Sequence, residues 1–147
     1  MRHYLVTYLA LMITLNAWTQ QQGFVQINDG TLYYEKKGTG PPLVFLHGLC
    51  LDHRMWQQQI DHFSKSYTCI NLDLRGFGRS SVPTTTSYSF HEDIRILLDS
   101  LHIKDPVVLI ALSMGGKAAV NFSLAYPEKT KALVLADVAI DGYQFRD

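Results

Sequence analysis

An α/β fold, with a mostly parallel sheet covered by helices on both faces, is predicted by three observations. Short apolar runs at 43–46, 68–72 and 107–112 alternate with segments of helical period. A tight-turn signal, Asn28-Asp29-Gly30, lies between two strand-like stretches ahead of them, so the sheet opens with an antiparallel hairpin. The unusual segments His47-Gly48, 73–80, Ser113 and Asp137 all follow predicted strands, at the edge where such sheets hold ligands.

The elements follow in order. Strands are expected at 24–28 and 32–36, flanking the Asn-Asp-Gly turn. Gly38-Thr39-Gly40-Pro41-Pro42 breaks the chain, and Leu43-Val44-Phe45-Leu46 is the continuous apolar run of a strand buried on both faces. Met55, Trp56, Ile60 and Phe63 recur at helical spacing over 55–63. A strand at 68–72 leads into the Gly-punctuated loop 73–80. Ser89-Phe90-His91-Glu92 is a capping box opening a helix whose apolar face is Phe90, Ile94, Leu97, Leu98 and Leu101. A strand into Ser113, a helix over 114–126 stopped by Pro127, and a strand at 132–136 complete the order.

The chain of 147 residues is 47% hydrophobic, enough for one globular domain with a sizeable core. Thirteen basic and thirteen acidic residues are spread without blocks, which argues against a nucleic-acid surface and for a small, uncharged partner. Residues 1–22 differ: Arg2 and His3 precede an apolar run over 4–15 and a polar exit, the pattern of a secretory signal peptide. Export to a secreted or periplasmic location is therefore expected. The run is too short for a membrane anchor, which needs about 20 apolar residues. The alternative is an apolar arm packed on the domain. Cys50 and Cys69 lie beside apolar stretches and are read as buried thiols rather than a disulfide framework.

The chemistry concentrates around Ala111-Leu112-Ser113-Met114-Gly115-Gly116, where a β-branched run meets a helix through a small-x-Ser-x-Gly turn. A serine hydroxyl there sits at a helix N-terminus, where free N–H groups and the dipole favour developing negative charge. The Met114 N–H is suited to be one oxyanion donor, and the Leu49 N–H in the loop after 43–46 the second. An ordinary helix N-cap is the bland alternative for Ser113. His47 reads as a structural histidine shaping that loop, His53 as solvent-facing, and Asp73, Arg75 and Arg79 as bracing their own loop. No motif demands a metal or an organic cofactor.

His47-Gly48, the Trp56 helix, Asp73-Leu74-Arg75-Gly76-Phe77-Gly78-Arg79-Ser80 and Leu112-Ser113-Met114-Gly115-Gly116, in that order, resemble the α/β-hydrolase family. The likeness is to its esterase, lactonase and C–C hydrolase branch and covers roughly residues 24–140. It implies that Ser113 is the nucleophile, that Leu49 and Met114 form the oxyanion hole, and that the substrate is an ester, lactone or related acyl compound. A serine at this position also argues against members that use aspartate, such as haloalkane dehalogenases and epoxide hydrolases. Ala111 stands where the family's elbow has its first glycine.

The family orders its triad as nucleophile, acid, histidine. Asp137 is either the acid or a loop-capping carboxylate, with Asp141 shortly after it. All six histidines, at 3, 47, 53, 62, 91 and 102, precede Ser113, so the histidine base is absent. Residues 23–147 are accordingly expected to form the N-terminal part of an α/β-hydrolase domain. The competing readings are a non-catalytic relative that binds a small ligand, and a chain completed by a second chain.

Overall fold

The computed structural model describes residues 20–139 apart from residue 86. The apolar segment over 4–15 and Asp141 lie outside the described residues.

Among the described residues, six strands form one sheet in the order β1-β2-β4-β3-β5-β6. β1 (Gln21–Ile27) and β2 (Gly30–Lys37) make the predicted hairpin around Asn28-Asp29. β2 also runs antiparallel to β4 (Thr68–Leu72). β4, β3 (Pro42–Leu46), β5 (Val107–Leu112) and β6 (Thr130–Ala136) are mutually parallel. Every residue of β3 and β4 is buried, which is why β3 is apolar without alternation; β4 also buries Thr68 and Asn71, whose side chains donate to the Gly40 and His53 carbonyls.

Helices cover both faces. α2 (Phe90–Ser100) and α3 (Met114–Ala125) place Ile94, Leu97, Leu98, Ala118, Ala119 and Phe122 against Val44, Leu46, Ile70, Leu72, Leu109 and Ala111. α1 (Gln57–Phe63) and the 3₁₀ turn ahead of it, His53–Trp56, set Trp56 and Ile60 on Leu43, Phe45 and Cys69 across the other face. The single helix expected over 55–63 is thus two pieces, joined where the tight turn relaxes into α-geometry. Only half of the Ser89 capping box forms: the Ser89 hydroxyl accepts the Glu92 N–H at 3.4 Å, while the Glu92 carboxyl turns to Tyr126 and Arg95.

The sheet extends one way from β3 to β4, then crosses over β3 to β5. The strand order therefore reverses beside β3. In an open parallel sheet that reversal leaves a crevice at the carboxyl ends of the two diverging strands. His47 follows one of them and Ser113 the other.

Candidate functional site

Ser113 lies between β5 and α3 with φ 48° and ψ −112°, a positive-φ conformation that L side chains avoid. Its N–H donates to the Ala136 carbonyl at 3.0 Å, and its own carbonyl accepts the Gly116 N–H at 2.9 Å. The turn is thus fixed from β6 on one side and from α3 on the other. Ser113 is half-buried, on a backbone held by hydrogen bonds from both sides.

The His47 loop and the Ser113 turn abut. A Cβ on Gly115 would stand 2.5 Å from the His47 carbonyl oxygen and 2.6 Å from that of Leu46. Only glycine lets the first turn of α3 approach the end of β3 so closely. Met114, the first residue of α3, contributes one of the N–H groups that a helix leaves without an intrahelical partner. Leu49 lies in the facing loop, its side chain 61% exposed.

His47 is fully buried and shapes that loop, as its sequence context predicts. Its Nε2 accepts the Leu74 N–H at 2.9 Å, so the proton resides on Nδ1, which donates to the Gly48 carbonyl at 2.8 Å. Both nitrogens are engaged, and burial holds its pKa below the ordinary value. His47 is therefore built as a neutral brace.

His53 departs from its solvent-facing expectation. It is 8% exposed, and both its N–H and its ring Nδ1 donate to Asp73 Oδ1 at 2.7 Å. Cys50 departs too: it is exposed, at φ 60°, whereas Cys69 is buried and its thiol is pushed up to about 11 by desolvation. Both thiols are free. Neither difference had a signal in the local sequence. Cys50 is carried outward by the turn in which the Leu51 N–H donates to the Gly48 carbonyl at 3.2 Å, and His53 is drawn in by Asp73, just past the end of β4.

The loop 73–80 braces its own turn, as expected, through Asp73 and Arg79, but Arg75 reaches beyond it. Asp73 Oδ2 accepts the Arg79 N–H at 2.8 Å, and a side chain on Gly78, at φ 53°, would strike the Asp73 carboxyl. The buried Arg75 guanidinium pairs with Asp93 at 2.5 Å and with Asp29, tying α2 to the opening hairpin. The Arg79 guanidinium lies 4.0 Å from the centroid of the Tyr33 ring.

Among the described residues, Asp52, His53 and Asp73 come close enough together to hold a metal ion. Their donors are engaged, however: Asp73 by three N–H groups, and Asp52 by Arg54 at 2.5 Å. Among the described residues no helix is long and apolar enough to cross a membrane.

Asp137 follows β6 with φ 48° and is exposed, one peptide beyond the carbonyl that holds the Ser113 N–H. The next residue, Val138, lies so near Gly116 that any side chain there would strike it. The chain leaving β6 is thereby laid across the start of α3, beside Ser113. The remaining histidines lie elsewhere: His91 packs toward Tyr126 beyond the end of α3, and His62 against Phe63 at the end of α1. His102 is in the connection leading into β5, at the opposite edge of the sheet.

Three relatives and a family profile fit this arrangement. The chain is 29% identical over 117 residues to a cis-3-alkyl-4-alkyloxetan-2-one decarboxylase of Shewanella oneidensis, covering 76% of this chain and 37% of that protein. It is 36% identical over 115 residues to epoxide hydrolase 2 of Siraitia grosvenorii, covering 75% and 36%. A thermophilic esterase from Thermogutta terrifontis superposes with a TM-score of 0.75 at 30% identity, over 84% of this chain and 48% of that one. The chain thus spans about two fifths of the length of the curated relatives it matches. The profile of the alpha/beta hydrolase fold matches residues 41–143. By fold, motif order and profile, this chain is a member of the α/β-hydrolase superfamily.

Proposed function

We propose that this chain carries the nucleophile and oxyanion half of a serine hydrolase acting on an ester, lactone or related acyl substrate. The observation that carries the reading is the strained Ser113 backbone, held from β6 and α3 at the strand-order reversal and abutting the His47 loop. Strain of this kind costs of order 1–3 kcal/mol and persists where the surroundings over-determine it. Ser113 Oγ would attack the acyl carbon, and the resulting oxyanion would accept hydrogen bonds from the Met114 and Leu49 N–H groups. Asp137, beside the turn, is the candidate acid.

Overall likeness does not choose the chemistry, since epoxide hydrolases and a haloalkane dehalogenase stand among the relatives alongside hydrolases of acyl compounds. The residue at the tip of the turn carries the distinction, and here it is serine. The proton acceptor is the part the described residues do not supply. His47 has both nitrogens engaged, and His53 is turned to Asp73. A second chain, or sequence beyond residue 147, would bring that histidine. Labelling with a fluorophosphonate probe tests the reading: modification abolished by Ser113→Ala supports it, and faster labelling with added imidazole would place the missing base beside Ser113. Folded protein that stays unlabelled in both conditions would favour ligand binding without turnover. The apolar segment over 4–15 supports export, for which a mature N-terminus near residue 20, found by sequencing the secreted protein, is the check.

A further inference from the structure

The loop 48–52, which holds Leu49, is tied down at both ends by one short stretch of chain, the exit of β4. At its start, the His47 ring takes the Leu74 N–H at 2.9 Å. At its end, His53 donates through its backbone and through Nδ1 to Asp73 Oδ1, each at 2.7 Å. The Asn71 side chain adds a bond to the His53 carbonyl at 2.8 Å. Two histidines therefore bracket the loop, each reading a different residue of the segment 71–74.

The two anchors differ in kind. His47 folds back on its own loop, whereas the His53 ring is wedged between elements. The Tyr33 ring of β2 lies 4.9 Å from it centroid to centroid, and Nε2 faces Glu35 of the same strand at 3.6 Å. Asp73 is itself caged. It is fully buried, its second oxygen accepts the Arg79 N–H, and Gly78 is the residue that leaves room for it. A caged acceptor cannot follow a wandering donor, so the position of His53 is set by β4 and β2, and the end of the loop is set by His53.

We infer that His53 is a positioning residue for the oxyanion loop: its Nδ1–H to Asp73 fixes where the 48–52 backbone lies relative to Ser113. It touches no reacting atom in this role. The catalytic consequence rests on the acyl-transfer reading above, but the placement of the loop does not, and the two can be separated.

The test compares three variants of the full chain. Asn presents an amide N–H near the position of Nδ1, Gln presents one near Nε2, and Ala presents none. Amide hydrogen exchange of Leu51, whose N–H donates to the Gly48 carbonyl, corrected for intrinsic rates, reads the loop directly. His53→Ala and His53→Gln are expected to accelerate it about tenfold or more, and His53→Asn to recover most of the protection. Turnover of a p-nitrophenyl ester, with imidazole added, reads the consequence. The Ala and Gln variants should lose about tenfold or more in kcat with KM little changed, and Asn should recover much of it. Unchanged exchange at Leu51 in a folded His53→Ala chain would overturn the inference, as would Asn behaving like Ala. Exchange that responds as expected in a chain whose Ser113 takes no fluorophosphonate, with or without imidazole, would sustain the placement role and remove the hydrolase reading instead.

Discussion

At the scale of single residues, the site is built by conformations that the chain would not adopt unaided. Ser113 holds a positive φ that glycine would occupy without strain. Replacing it with glycine should therefore raise the melting temperature relative to Ser113→Ala, by an amount corresponding to about 1 kcal/mol, while removing the hydroxyl. Equal melting temperatures for the two variants would mean that the turn stores no strain. His47 offers a pH-dependent counterpart. Burial lowers its pKa, so the folded chain binds that proton less readily than the unfolded one. The stability it contributes is complete above its ordinary pKa of 6.5 and is lost as the pH falls below it. In an NMR titration the His47 ring should protonate below 6.5, with the Leu74 amide losing protection in step; protonation at or above that value would contradict a buried neutral brace.

At the scale of elements, the short 3₁₀ turn after the Leu49 loop depends on its cap. Asp52 accepts the Arg54 N–H at 2.9 Å, and the hydrogen bond from the Arg54 side chain is the main cause holding its carboxyl down at about 2. A depressed carboxylate stabilises the fold above its ordinary pKa of 3.8 and ceases to as the pH falls toward about 2. Asp52→Ala should thus cost about 1 kcal/mol in urea unfolding near neutral pH. The gap from the parent chain should narrow once the pH drops below 3.8, and a gap that persists undiminished in acid would assign the effect to packing.

What could be read from the sequence also divides by element. β3 and β5 announce themselves because strands inside a helix-covered sheet need no polar positions, and the turn at Ser113 because close approach demands small residues around it. The His53–Asp73 bond was invisible because its partners are twenty positions apart on different elements, with no periodicity linking them. The Arg75–Asp93 pair was hidden for the same reason. Strand order was equally silent, since alternation of strand and helix is the same for any arrangement of parallel strands.

At the scale of the molecule, the sheet is unevenly covered. α1 reaches β3 and β4 but leaves Val108, Ile110 and Leu112 half-buried on its face, and Val134 of β6 is 52% exposed. Among the described residues β6 pairs on one side alone, with β5, so its outer edge offers unpaired backbone groups beside apolar side chains. Val134→Lys should lower light scattering and binding of an apolar dye, at a stability cost within about 0.5 kcal/mol. If scattering does not change, the self-association surface lies elsewhere. The reversal of strand order beside β3 has a further bearing, on synthesis. Leu46 pairs with Ala111, and that partner is made only after the whole of 47–110. At about 5–20 residues per second, β3, every residue of which is buried in the finished fold, waits several seconds with one edge unclaimed. For that interval the nascent chain carries an unpaired strand edge, an exposure that follows from the order of its strands rather than from its final stability.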